Sequence, residues 1–161
     1  MAPIHMTGLD GAAREVTAET VETFRTGLHG ALLYPDDDGF TESIQLWNGM
    51  IRTRPGAVVR PHSTDDVVRT VELARREGLL ISIKGGGHNI AGLALCDGGI
   101  TLDMSAMNVV GVDVEGKTVR VGPGCTLGDV DRATQPHGLA TTLGFVSLTG
   151  VAGLTLGGGF G

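Results

Sequence analysis

The chain has 161 residues, 41% hydrophobic, 19% charged and 4% aromatic, with 27 glycines and a net charge of −6. This composition fits one globular domain or a large piece of one, with a Val, Leu, Ile and Ala core, and excludes a disordered chain. The acidic balance, with no block of Lys or Arg, excludes the basic face of a nucleic-acid binder. No apolar run reaches the ~20 residues of a membrane span.

In chain order, residues 1–16 read as a loose leader without the basic and apolar regions of a signal peptide. Thr17 to Leu28 is predicted as a helix with Val21, Phe24 and Leu28 on one face and Gly30 as its stop. Tyr34–Gly39 is a loop, and Phe40–Met50 a short helical or irregular segment in which Trp47 is most simply a core or subdomain-packing residue. Residues 1–45 thus form an N-terminal leader and helix ahead of a main domain over 46–161. Ala57–Pro61 is a short buried strand closed by proline.

The stretch "STDDVVRTVELARREG" carries the clearest helix. Ser63 or Thr64 can cap it, Asp65 and Asp66 suit its positive end, and Val67, Val71 and Ala74 share a face. Gly78 ends it. Leu79–Lys84 comes next as a strand, so strand, helix and strand imply a parallel pair with a right-handed crossover. Gly99–Met104 is another strand, "VVGVDVEGKTVRVGPG" a hairpin turning at Glu115-Gly116, and Thr126 to His137 a second capped helix. The fold class expected is α+β, a parallel βαβ unit joined to mixed or antiparallel strands. The ending, "TGVAGLTLGGGFG", stops inside a glycine cluster and reads as the end of a fragment.

Several motifs fail on chemistry. Gly122-x-Gly124 precedes a helix, but no acidic residue stands beyond it at dinucleotide-fold spacing, so packing glycines account for it better. No glycine cluster leads into Gly-Lys-Ser/Thr. The five histidines and two cysteines are scattered, which excludes a zinc site. Cys96 and Cys125 point to a reduced, cytoplasmic protein. His62 and His137 suit capping or surface roles, while His5 and His29 carry no context.

"KGGGHNIAG" is different. Three bare residues leave the end of a parallel strand, where open α/β units place ligands, and a second bare segment lies downstream. Two such segments offer unobstructed N–H groups suited to a pyrophosphate. The residues alone reach a phosphate-bearing cofactor with His88 at one end of it.

In family order, "LWNGM", "RPHSTDDVVRTVELAR", "IKGGGHNIAG", "VRVGPGCTLGDVDRATQPHGLATTLG" and "TGVAGLTLGGGFG" resemble the FAD-binding domain of the vanillyl-alcohol oxidase / p-cresol methylhydroxylase (PCMH) superfamily. The likeness runs closest to bacterial berberine-bridge-enzyme-like and 6-hydroxynicotine-oxidase-like flavoproteins. It covers Leu46 to Gly161 and implies the N-terminal portion of a PCMH-type domain, its substrate domain and catalytic base lying beyond Gly161. It further implies FAD bonded through the flavin 8α-methyl to His88, with Lys84, Gly85, Gly86, Gly87, Asn89 and Gly92 around the diphosphate and ring edge. Gly144, Ser147, Thr149, Gly150, Val151 and Gly153 would lie beside the flavin, Thr149 near its reactive face. Doubly linked relatives carry a cysteine where this chain has Val146, so one link is expected. The resemblance implies hydride transfer from a small organic substrate, with dioxygen as a candidate acceptor and no nucleic-acid or membrane partner. A non-catalytic flavin-binding fragment and a non-covalent FAD reductase of related fold stand as the alternatives.

Overall fold

A computed structural model describes residues 3–159. Phe160 and Gly161, the last residues of the terminal glycine motif, lie outside the described residues.

Much of the segment read as a loose leader is ordered as strands. Ile4–Thr7 (β1) and Ala13–Val16 (β2) form an antiparallel hairpin. Met6 and Val16 are buried in the main core with Val21 and Phe24. The Thr7 N–H donates to Gly98 O at 2.9 Å and its carbonyl accepts from the Leu80 N–H at 2.9 Å. These bonds join the first strand to chain more than seventy residues away, a pairing that local sequence does not encode.

Thr17 caps α1 (Ala18–Thr26), its hydroxyl accepting from the Thr20 N–H. The helix ends at Gly27 and not at Gly30. Gly30 is bare for another reason: a Cβ there would lie 2.1 Å from the Arg60 carbonyl oxygen. Ala31–Leu33 (β3) then pairs with Ala57–Arg60 (β4), after the short helix α2 (Phe40–Ser43). The segment before residue 46 shares one sheet and one core with the strands and helix beyond it.

Helix α3 (Thr64–Glu77) starts at a capping box formed by Ser63 and Asp66 and ends at left-handed Gly78. Its buried residues are Asp66, Thr70, Leu73 and Ala74, whereas Val71 is exposed. Of the predicted face, Ala74 is buried and Val67 half-buried against the core, while Thr70 and Leu73 take the place expected of Val71. Thr70 donates to Asp66 O at 2.7 Å. The Asp66 carboxylate accepts from the N–H groups of His29 (2.9 Å), Gly30 (3.1 Å), His62 (2.9 Å) and Ser63 (3.2 Å).

The next strands, Ile81–Lys84 (β5) and Ile100–Asp103 (β6), complete a four-stranded sheet in the order β3-β4-β6-β5. The expected direct β4–β5 pair is not formed. β6 lies between them, parallel to both. It is buried on both faces, as a central parallel strand must be. One face carries the apolar core of Ala57, Val59, Ile100 and Leu102. On the other, Ser82 and Thr101 share a 2.9 Å hydrogen bond, and Lys84 Nζ lies 3.1 Å from Asp103 Oδ1.

The expected hairpin is present as Val110–Asp113 (β7) and Thr118–Val121 (β8). The Asp113 carboxylate accepts from the Gly116 N–H across the turn. Helix α4 (Leu127–Thr134) packs on it, and α5 (Val151–Leu156) adds Val151 to a second core of Cys125, Leu127 and Val130. Gly122 and Gly124 are packing glycines, since a Cβ on either would approach Met107 O or Met104 O to 2.2 or 2.1 Å.

Burial would raise the Asp66 carboxyl, but the N–H groups of His29, His62 and Ser63 hold it below the usual carboxylate value. A carboxyl that ionises lower in the folded state stabilises fully above the unfolded value of about 4, and this contribution is lost as pH falls through the folded value. We expect Asp66→Ala to lower stability by about 2–4 kcal/mol at pH 7, leaving several donors unpartnered. Urea denaturation at pH 7 and pH 3 checks this, with the difference between the two proteins shrinking at the lower pH.

Candidate functional site

The end of β5 delivers the chain to the site. Strand alternation puts Ile83 and Lys84 on opposite faces. Ile83 opens onto a cleft of about 400 Å³, while Lys84 turns under the sheet to its Asp103 partner. Lys84 is thus a structural cation beneath the loop and does not line the cleft. Asp103 also accepts from Ser105 Oγ at 3.0 Å and lies 3.5 Å from Arg60 Nε. Arg60 in turn donates to Ser43 Oγ at 2.6 Å. This buried network fixes the root of the glycine loop.

Gly85, Gly86, Gly87, His88 and Asn89 form one wall of the cleft, and Thr149, Gly150, Gly153 and Leu154 the facing wall. The walls meet backbone to backbone. A Cβ on Gly86 would lie 2.5 Å from Gly150 Cα, and one on Gly150 would lie 2.4 Å from the Gly86 nitrogen. Gly87 adopts a φ of +69° that favours glycine. The second wall is held by a backbone ladder: Leu127 N–H to Thr149 O, Gly128 N–H to Ser147 O and Val151 N–H to Cys125 O, each at 2.9 Å.

The remaining predicted residues divide. Asn89 lines the cleft, but its side-chain oxygen accepts from the Leu93 N–H at 3.0 Å and closes the local turn. Gly92 (φ +77°) is packed against Ile51 and stands outside the cleft. Val151 faces the second core. Gly144 lies with Phe145 and Val146 along a shallower neighbouring depression that shares Thr149 and Leu154 with the main cleft. Ser147 contributes its carbonyl to the ladder and its side chain packs near Gly128.

Trp47 is not a core residue. It is 66% exposed, and its indole stacks on the His88 imidazole with ring centroids 5.8 Å apart and planes 24° from parallel. This contact was invisible in the sequence because forty residues separate the two rings. Ile83, Leu93, Ala94 and Leu154 add apolar surface to the cleft that the sequence did not single out.

The arrangement suits a ligand with an anionic part and a flat apolar part. Among the described residues, no protein acceptor takes the N–H groups of Gly86, Gly87 or His88. Bare backbone with uncommitted N–H groups is an anion cradle, and the apolar side chains line the same cleft. These features fit FAD. Residues 55–161 match the family model of an FAD binding domain.

The chain belongs to this FAD-binding domain family. The FAD domain is 40% identical over 134 residues to (R)-6-hydroxynicotine oxidase of Paenarthrobacter nicotinovorans, covering 83% of this chain and 29% of that protein. The crystal structure of 6-hydroxy-D-nicotine oxidase from Arthrobacter nicotinovorans matches it with a TM-score of 0.81 at 39% identity, over 84% of this chain and 30% of that one. BBE-like 1 of Physcomitrella patens gives 0.80 at 28% identity, over 88% and 31%. Glucooligosaccharide oxidase from Acremonium strictum, described as carrying a 6-S-cysteinyl, 8α-N1-histidyl FAD, gives 0.77 at 27% identity, over 88% and 30%. The FAD domain therefore spans less than a third of the length of these relatives, and its architecture is that of the PCMH-type oxidases.

The contact of Gly86 with Gly150 makes a sharp test. Gly86→Ala drives a methyl group into the facing backbone, so the walls must part. We expect at least a tenfold loss of FAD affinity, about 1.4 kcal/mol, read by fluorescence titration of the flavin-free full-length protein.

Proposed function

We propose that the full-length protein is a flavin-dependent oxidoreductase of a small organic substrate, with FAD attached through one covalent bond to His88. The observation that carries this reading is the imidazole at the lip of the glycine cradle. It stands directly after the three bare residues and is restrained by Trp47. When bound, FAD supplies the acceptor for a hydride from the substrate and passes the electrons on.

The chain's own residues do the binding and orienting. Gly86 and Gly87 offer N–H donors to phosphate oxygens, while Ile83, Leu93 and Leu154 keep water from the flat part of the ligand. Thr149 brings a hydroxyl to the wall facing His88. The imidazole is a nucleophile in its neutral form. With FAD bound, the link would replace the imidazole N–H and one C–H of the 8α-methyl by an N–C bond, and the two protons and two electrons released would go to an oxidant such as dioxygen, giving hydrogen peroxide.

A single link is consistent with the thiols. Val146 supplies no nucleophile where doubly linked relatives carry cysteine. Cys125 is fully buried in the second core, and burial pushes its thiol pKa up. Cys96 is buried with its Sγ 3.3 Å from Ile100 O. Neither lines the cleft.

Denaturing electrophoresis of the full-length protein, imaged for flavin fluorescence under acid, tests the proposal. We expect a fluorescent band that disappears in His88→Ala, while thiol alkylation before FAD loading leaves it unchanged. A dark band with flavin in the supernatant would point to the non-covalent reductase class.

A further inference from the structure

The residues around His88 pose a mechanical problem. Three successive glycines precede it, so the backbone that carries the imidazole has little intrinsic preference for one direction. Bond formation needs the attacking atom held in one orientation. Something outside the loop must supply that restraint.

Three contacts supply it, all from two adjacent residues. The Trp47 N–H donates to Gly87 O at 3.1 Å, on the N-terminal side of His88. Asn48 Nδ2 donates to Ile90 O at 2.8 Å, on the C-terminal side. Between these two bonds the Trp47 indole stacks on the imidazole. Asn48 is itself fixed, its Oδ1 accepting from the Met50 N–H at 3.1 Å. A centroid distance of 5.8 Å with a small interplanar angle lies within the range of attractive offset stacking.

The exposure of Trp47 carries the same message. A two-thirds exposed indole adds little to a core, and Trp47 lies in neither buried cluster. Its ring remains on the surface against one partner, the histidine at the edge of the cleft. We infer that Trp47 and Asn48 form a clamp whose role is to orient His88 for attachment of the flavin. They are positioning residues, acting through His88 without lining the cleft. The inference rests on the covalent role proposed for His88.

The rate of attachment tests it. Full-length protein is prepared flavin-free from riboflavin-starved cells and mixed with saturating FAD. Samples are precipitated in acid at intervals to separate attached from released flavin, and total bound flavin is measured in parallel. Trp47→Phe keeps a stacking plane and Trp47→Leu keeps bulk without one, while both retain the backbone bond to Gly87. We expect Trp47→Leu to bind FAD but attach it roughly three- to tenfold more slowly, the worth of one offset aromatic pair. Trp47→Phe should restore most of the rate, and Asn48→Ala should slow it as well. Equal attachment rates in Trp47→Leu, Trp47→Phe and the unsubstituted protein would overturn the clamp while leaving the covalent link standing. Absence of attached flavin in the unsubstituted protein would overturn both readings, and the total-flavin measurement would show whether FAD binding itself survives.

Discussion

Two backbones with no side chains between them set the shape of this domain. Where Gly86 meets Gly150, the gap is too small for one carbon atom beyond Cα. Everything nearby serves that contact. From one side the buried Lys84–Asp103–Arg60 network fixes the strand that launches the loop. From the other, Leu127, Gly128 and Val151 hold the segment from Ser147 to Gly150 in a backbone ladder. Because the contact leaves main-chain N–H groups uncommitted, the constraint that closes the fold also makes its anion cradle.

The polar face of the sheet explains how charge can sit so close to a cleft without entering it. Asp103 is buried and takes Lys84, Ser105 and Arg60 as partners, so its charge is matched on three sides. Lone buried ions are costly, and paired, hydrogen-bonded ones are tolerated. The lysine next to the glycines is therefore best understood as part of the foundation. The family resemblance implied a place for it beside the cofactor, whereas strand alternation turns it to the face opposite Ile83.

What was legible in the sequence was local. The caps of α3 and α4 and the β7–β8 turn each rest on residues within a few positions of one another, and each is present. What escaped was long-range. The docking of β1 depends on Leu80 and Gly98. The insertion of β6 between β4 and β5 is a choice of sheet order that no spacing records. Trp47 looked like a core residue because large aromatics usually are, and only its partner forty residues away explains why this one stays at the surface. Asp66 read as a charge suited to the helix's positive end, and it proves to bind the α1–β3 turn as well.

The hairpin at the N-terminus has a consequence for how the protein is made. Thr7 emerges from the ribosome well before its two backbone partners, Leu80 and Gly98. Its strand therefore cannot complete its pairing until some ninety further residues have emerged. In that interval Met6 and Val16, both core residues in the finished fold, lack their covering. Non-local pairings of this kind close slowly and leave apolar strands open to wrong partners in the meantime. The nascent chain consequently passes through a stage in which the β1–β2 hairpin is already made but its apolar side waits uncovered for the later strands.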